Sequence, residues 1–498
     1  MSMLYFQNRK AAGNSYSLIL VAISLGTISV ISGLSEILGR TNQRVPIVLV
    51  IVGSALMVLG GVRLSSLKKF DLDTPSEIFS FTFAFLVSFI VVQSCLYLAT
   101  GVVSTLDAAI LESTSSITTT AISTLDPDSL TSSMHTFRSL TQWVGGLFAL
   151  FLVFVATPIT SNSDNPSAGY GPKIFSRKPA KRMREITILY LGLTLITFVA
   201  LFLAGMGAFD SFAHSLSASS TGGFSTRSSS IASFESAAIE WTLICSMFVG
   251  GLNVGLIWWV GKGKFVHIRS NNELRLYLVM FFGGVGLFWL KGDLVGPFSH
   301  QLRDAFFKLS SLFSTTGFVN DGWRFSSGIT AVALLILAVG GMAGSPGGGF
   351  GIHRLIELMK YLRRELTRKY NRQAVRKIKV SGEVVNEREL GKLQGFTAIF
   401  IFIVASGAFL LALDNSSLSI ADVISISVSA FVTAGPAIAE SGSENSYGLL
   451  GNVALSMLMI VGRLSILPAA YMVLKLSRSA KLNLRGLRAN GVSSDEIP

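Results

Sequence analysis

Ten apolar stretches, near 15–39, 45–63, 76–101, 137–160, 186–206, 237–260, 273–290, 328–362, 393–413 and 447–476, punctuate this chain. Each is close to the roughly 20 residues a helix needs to cross a bilayer. Hydrocarbon offers no partner for backbone N–H and C=O groups, so a chain of such stretches folds as a bundle of helices. Composition agrees: 50% of the 498 residues are hydrophobic and 14% are charged, too few charges to cover a soluble surface. The first apolar run continues too far beyond Leu18, without a small-residue cleavage site, to be a signal peptide. It is read as a retained span. Cys95 and Cys245 both sit inside apolar runs and supply no disulfide framework.

Most of the 41 Lys and Arg follow the even-numbered stretches. Arg63, Lys68 and Lys69 come after the second, and Lys173, Arg177, Lys178, Lys181, Arg182 and Arg184 after the fourth. Lys262, Lys264, Arg269 and Arg275 come after the sixth; a dense run fills 363–392, and Lys475 to Arg488 close the chain. The other side holds Arg40, Arg44, Arg227, Lys291, Arg303 and Arg324. The positive-inside rule then puts both termini in the cytoplasm and accounts for the net charge of +13 without nucleic acid. The 363–392 run exceeds what topology needs and is open to docking a partner.

Four shorter pieces, 105–120, 208–221, 302–315 and 419–433, are rich in Ser and Thr. They are too short to span and too polar to face lipid, so they read as half-helices entering from outside and ending in buried loops. Three share a spacing: Asp210 to Gly223, Asp304 to Gly317 and Asp422 to Gly435 are each 13 positions apart. The first piece, "DAAILESTSSITTTAIS" from Asp107, lacks the glycine. Counting 13 from Asp107 reaches Thr120, whereas matching the hydroxyl run reaches Ala121. The pattern predicts four units of span, half-helix, polar loop and span, at 76–160, 186–260, 273–362 and 393–476, around one axis. The whole chain divides into a two-helix extension (1–70), units at 71–170, 171–262, 263–380 and 381–498, the last carrying the C-terminal tail. The fold class is all-α polytopic.

Such a repeat suits a dehydrated cation, which needs close rings of oxygen that backbone carbonyls supply. Glycine reaches the required torsions without a Cβ penalty. A single "STTGF" is explained by helix packing; three glycines at one offset behind half-helices are not. Asp126, Asp128, Glu440 and Glu444 would make the outer mouth negative and concentrate cations. His135, His214, His267, His300 and His353 have no metal spacing. No paired acids, Ser/His set or metal motif lies within the spans, which speaks against an intramembrane enzyme. Acid or His relays of the kind coupled carriers use are scarce. Glu112 and Arg463 are the notable deep charges, and Glu112 suits an anchor behind the polar loop.

The blocks "QWVGG" at 142–146, "GGFST" at 222–226, "STTGF" at 314–318, "GGMAGSPGGG" at 340–349 and "VGRLSI" at 461–466 resemble those of the Trk/Ktr/HKT superfamily of cation transporters. The resemblance runs nearly end to end and is strongest to the Trk branch of potassium-uptake membrane subunits. It implies a pore-loop fold with pseudo-fourfold symmetry, a homodimer in the bacterial inner membrane, K⁺ as the transported ion and a cytoplasmic nucleotide-binding regulatory subunit of the TrkA type. It further implies a filter of Thr119, Thr120 and Ala121; Thr221, Gly222 and Gly223; Thr315, Thr316 and Gly317; and Thr433, Ala434 and Gly435. The same resemblance makes Gly344, Ser345, Pro346, Gly347, Gly348 and Gly349 an intramembrane gating loop, with Arg463 as an electrostatic barrier beside it. Pro346 and its glycines cannot sustain a regular helix in any case. Three departures stand out. Ala121 occupies a usual glycine position, and by analogy with the plant HKT branch this opens the alternative of Na⁺ permeation. Ser465 replaces a usual glutamate, and Gly351 a frequent lysine.

Overall fold

Long apolar helices alternate with short amphipathic ones along the chain. The structure, a computed structural model, describes residues 2–37, 44–65, 75–156, 175, 178–269, 271–292, 296–320, 325, 327–370, 378–380, 383–384, 387–415, 418–435 and 447–464. Glu440, Glu444, Ser465 and the chain beyond Leu464 lie outside the described residues, as do Lys68, Lys69, Lys173 and Arg177.

Helices α1 (Ser2–Ile37) and α2 (Arg44–Ser65) form an antiparallel pair that packs on the first unit. That unit contains α3 (Pro75–Thr100), the half-helix α4 (Leu106–Thr118) and α5 (Ser132–Phe151), which runs into a π-turn at Leu152–Ala156. The second has α6 (Pro179–Leu203), half-helix α7 (Ala208–Ser219), α8 (Ala237–Gly250) and α9 (Val254–Gly261). After the short α10 (Phe265–Arg269), the third has α11 (Asn272–Lys291), half-helix α12 (Phe298–Ser314), α13 (Ser327–Val339) and α14 (Ile352–Tyr370). The fourth has α15 (Glu387–Asp414), half-helix α16 (Ile420–Phe431) and α17 (Leu449–Leu464). A two-residue ladder, Lys379–Val380 against Glu383–Val384, is the one β element among the described residues. The ring closes because α17 packs on α4, where Asn452 Nδ2 donates to Asp107 Oδ2 at 2.6 Å.

The protein is an all-helical polytopic membrane protein. Seven described helices are long and apolar enough to cross a bilayer, and eight if one bent pair is counted. Among the described residues the eighth stretch holds the shorter helix Gly328–Val339, and the tenth is described as far as Leu464, as Leu449–Leu464. The sixth stretch, expected as one span over 237–260, is a bent pair: the chain changes direction by 103° between α8 and α9. Gly250 and Gly251 end α8, and Asn253 caps α9 by accepting the Gly255 N–H at 2.7 Å. The expected third half-helix, 302–315, in fact starts earlier at Phe298, so Asp304 lies inside it rather than at its start.

Several of the half-helix hydroxyls return to their own backbone. Ser113 donates to the Ala109 carbonyl, Ser116 to Glu112, Thr118 to Thr114 and Ser314 to Ser310, all at 2.6–2.8 Å. Those bonds satisfy part of the buried hydroxyl set; Thr114, Ser115, Ser219, Ser310 and Ser429 are buried without a hydrogen-bond partner among the described residues.

Candidate functional site

All four half-helices end the same way. The N–H of Thr119, Thr221, Thr315 and Thr433 each reaches back three residues, to Ser116, Ala218, Leu312 and Ala430. The next N–H, of Thr120, Gly222, Thr316 and Ala434, reaches back five, to Ser115, Ser217, Ser311 and Ser429. This paired pattern is the Schellman ending, with the first residue left-handed. The four threonines have φ of 56°, 53°, 56° and 53°. A β-branched residue is strained there, at about 1–2 kcal/mol each, and four copies of one strain mark a built site.

Two residues further on the backbone turns left-handed again, at Ala121 (61°), Gly223 (88°) and Gly317 (81°). Of the two readings of the first strand, the geometry therefore follows the hydroxyl run to Ala121: the left-handed threonine lies 12 positions after Asp107 but 11 after Asp210, Asp304 and Asp422. The strands crowd one another. A Cβ on Gly223 would overlap the Thr316 carbonyl oxygen, and one on Gly317 would sit 2.6 Å from Gly435 Cα. Gly222 lies against the Gln142 amide, which also accepts from Ser217 Oγ at 2.9 Å. All twelve residues come together around the axis; all but Gly223 are buried.

Immediately beyond them the strands are tied down. Glu112 Oε1 accepts from Ser123 Oγ and from the Thr124 N–H, both at 2.6 Å. His214 Nε2 meets Ser225 Oγ at 3.0 Å, and Asn320 Nδ2 donates to Asp304 Oδ1 at 2.8 Å. In the loops that follow, Ser228 Oγ donates to Asp126, and the Ile231 N–H to the Val319 carbonyl at 2.9 Å, so neighbouring units are stitched together. Asp126 and Asp128 are exposed.

Under the strands runs the segment 340–351. Gly344, Ser345 and Pro346 are buried, and Gly347, Gly348 and Gly349 half-buried. The Gly348 N–H donates to Thr315 Oγ1 at 3.0 Å, so the segment touches the threonine ring directly. Asn253 Nδ2 donates to the Ala343 carbonyl at 2.5 Å, and Glu273 Oε1 accepts the Ala343 N–H at 2.7 Å. Gly351 has φ of 88° and donates to Val339 at 2.7 Å, a conformation that suits glycine. Arg463 is buried; its Nη1 donates to the Pro346 carbonyl at 2.9 Å and its Nη2 to the Gly145 carbonyl at 3.1 Å. Among the described residues no carboxylate pairs with it.

Asn253, Glu273, Gln142 and Arg138 were missed in the sequence, yet one signal was present. "VGGL" at 144–147 and 249–252, "VGGM" at 339–342 and "VGRL" at 461–464 form a second fourfold block. Its glycines let the half-helix ends approach: Gly145 abuts the Ile117 carbonyl, Gly341 that of Phe313 and Gly462 that of Phe431. Gly146 and Gly251 face the hydroxyls of Tyr190 and Tyr277, which donate to the Trp143 and Phe248 carbonyls. In the fourth copy Arg463 stands in the place of that second glycine.

The family model described as TrkH, cation transport protein, matches residues 76–260 and 290–485. The chain belongs to the TrkH family. Family membership and the apolar helices agree on an integral membrane protein. Among characterised relatives, the Trk system potassium uptake protein TrkH of Escherichia coli K12 is 31% identical over 316 residues, covering 60% of this chain and 65% of that protein. The match thus spans just under two thirds of the relative's length. TrkH of Halomonas elongata is 28% identical over 381 residues, covering 72% of this chain and 76% of its own. The crystal structure of the potassium transporter TrkH from Vibrio parahaemolyticus superposes with a TM-score of 0.79 over 92% of this chain and 98% of that one, at 23% identity, and shows the shared fold.

Proposed function

We propose that this TrkH-family chain is a gated monovalent-cation uptake channel of the bacterial inner membrane, with K⁺ as its principal ion. The observation that carries the reading is the fourfold repeat of the Schellman ending with its left-handed threonine. In an ordinary strand successive carbonyls alternate sides. Left-handed residues at alternate positions in the first three strands turn them to one side, which is the requirement for stacked oxygen rings that replace a hydration shell. The half-helices aim their partially negative C-terminal ends at the same axis. The ion is cargo, held by Thr119 to Ala121, Thr221 to Gly223, Thr315 to Gly317 and Thr433 to Gly435.

The segment 344–349 acts as the gate. Its hydrogen bond to Thr315 and the Arg463 charge beneath it oppose cation passage in the closed state. Opening requires the segment to leave Thr315, Asn253 and Glu273. The potassium-uptake names of relatives support the ion assignment, and the Trk-system designation supports a partner. We assign a homodimer, a cytoplasmic TrkA-type nucleotide-binding subunit, cytoplasmic termini and ten crossings on the same footing.

A second reading rests on Ala121, whose methyl group departs from the glycine pattern: the channel then admits Na⁺ or prefers it. Rubidium uptake into liposomes loaded with the purified protein tests the primary reading. Uptake that is saturable by external K⁺ is the expected result; no cation uptake by correctly folded protein overturns it. Unitary currents distinguish a channel from a carrier with fixed stoichiometry.

A further inference from the structure

Glu112 and Arg138 form a completely buried ion pair behind the first strand, Arg138 Nη2 lying 3.4 Å from Glu112 Oε2. Seven positions before the left-handed threonine the four half-helices carry Glu112, His214, Lys308 and Ile426. Seven positions before the first glycine of the Val-Gly block the following helices carry Arg138, Leu243, Ala333 and Leu455. The Glu–Arg combination therefore occurs once, in the unit whose strand holds alanine instead of glycine.

Both members converge on the residues just after Ala121. Glu112 Oε1 accepts from Ser123 Oγ and the Thr124 N–H at 2.6 Å, and Arg138 Nη2 donates to Ser123 Oγ at 2.7 Å. The Arg138 guanidinium also lies 4.0 Å over the Phe224 ring, next to Gly223 of the second strand. In the second unit His214 clasps the equivalent Ser225 without an ion pair. A buried pair is costly to assemble and is hard to justify as general stabilisation. It is well suited to over-determining a strained backbone, and Ala121 at φ 61° needs that more than a glycine does.

We propose that Glu112 and Arg138 are positioning residues that hold Ala121 in its left-handed conformation and fix the spacing of the first and second strands, so that discrimination between K⁺ and Na⁺ depends on them. This rests on the channel reading above. It predicts a coupling specific to Ala121: restoring glycine should relax the need for the clamp.

The test is a double-mutant cycle in the full-length protein. Bi-ionic reversal potentials give the K⁺/Na⁺ permeability ratio for the native chain, Glu112→Gln, Ala121→Gly and the double variant. Glu112→Gln is expected to change the ratio about fivefold or more in the native background and less than about twofold with Ala121→Gly. Equal effects in both backgrounds, or none in either, overturn the proposal. The same cycle is read as melting temperature in detergent, where Glu112→Gln should cost more with Ala121 than with glycine. Equal losses there overturn the clamp even if the native chain passes no cation, an outcome that separately sinks the channel reading. Should Glu112→Gln not fold, Ser123→Ala removes the shared hydroxyl without burying a lone charge and carries the same expectation.

Discussion

Ala121, Gly223 and Gly317 share one backbone conformation, but only one of them carries a side chain. Adding a methyl group at Gly317 drives it against Gly435 in the next strand and strains a left-handed residue. Overpacking of that kind costs about 1–3 kcal/mol, so Gly317→Ala should lower cation flux tenfold or more in liposomes while the protein still purifies as a folded species. Removing the methyl at Ala121 has the opposite sign: Ala121→Gly should raise the K⁺/Na⁺ ratio and the melting temperature, because the left-handed penalty is relieved. The sequence carried much of this. The hydroxyl run led to Ala121 because the Schellman ending is local chemistry, whereas the count from Asp107 failed by one residue because Asp107 stands one position further from its left-handed threonine than the other three aspartates do. Arg138 was not legible, since its partner lies 26 residues away and nothing in the spacing links them.

The segment 340–351 depends on elements far from it in the chain. Arg463 from α17 holds Pro346, Asn253 from the break between α8 and α9 holds Ala343, and Glu273 from α11 holds the other side of Ala343. If the segment is the gate, Arg463→Gln should raise basal flux severalfold by removing the charge, and Asn253→Ala should do so more weakly through a looser segment. Unchanged basal flux in both variants would deny the segment a gating role. The glycine-rich interruption was legible because proline and glycines cannot continue a helix. The break in the sixth stretch was not read, although Gly250-Gly251 followed by Asn253 spells a helix end and a new cap. Hydrophobicity masked those short-range signals. Beyond the bundle, Arg364 grips Glu387 in a two-point contact at 2.5 and 3.1 Å, joining α14 to α15. That contact holds the Glu387 carboxyl below the ordinary range. The support it gives is present above the ordinary carboxylate pKa and fades as pH falls through the lowered value; being exposed, it is worth little. Glu387→Gln should therefore leave the melting temperature at pH 7 nearly unchanged.

The whole molecule is a closed ring of four unequal walls braced by a helical pair. Closure is carried by contacts between the first and last units: Asn452 with Asp107, and Arg463 with Gly145. No local pattern could announce these, since more than 300 residues separate the partners. The order of elements was legible because apolar length and half-helix polarity repeat four times. A homodimer of the 53.3 kDa chain should appear in light scattering of the detergent-solubilised protein at twice the protein mass of the monomer. The most direct test of the central claim is the bi-ionic reversal potential of the purified protein in liposomes, with K⁺ on one side and Na⁺ on the other. The account predicts a cation current whose reversal potential favours K⁺. A reversal potential at zero, or on the sodium side, would contradict potassium selection by these four strands.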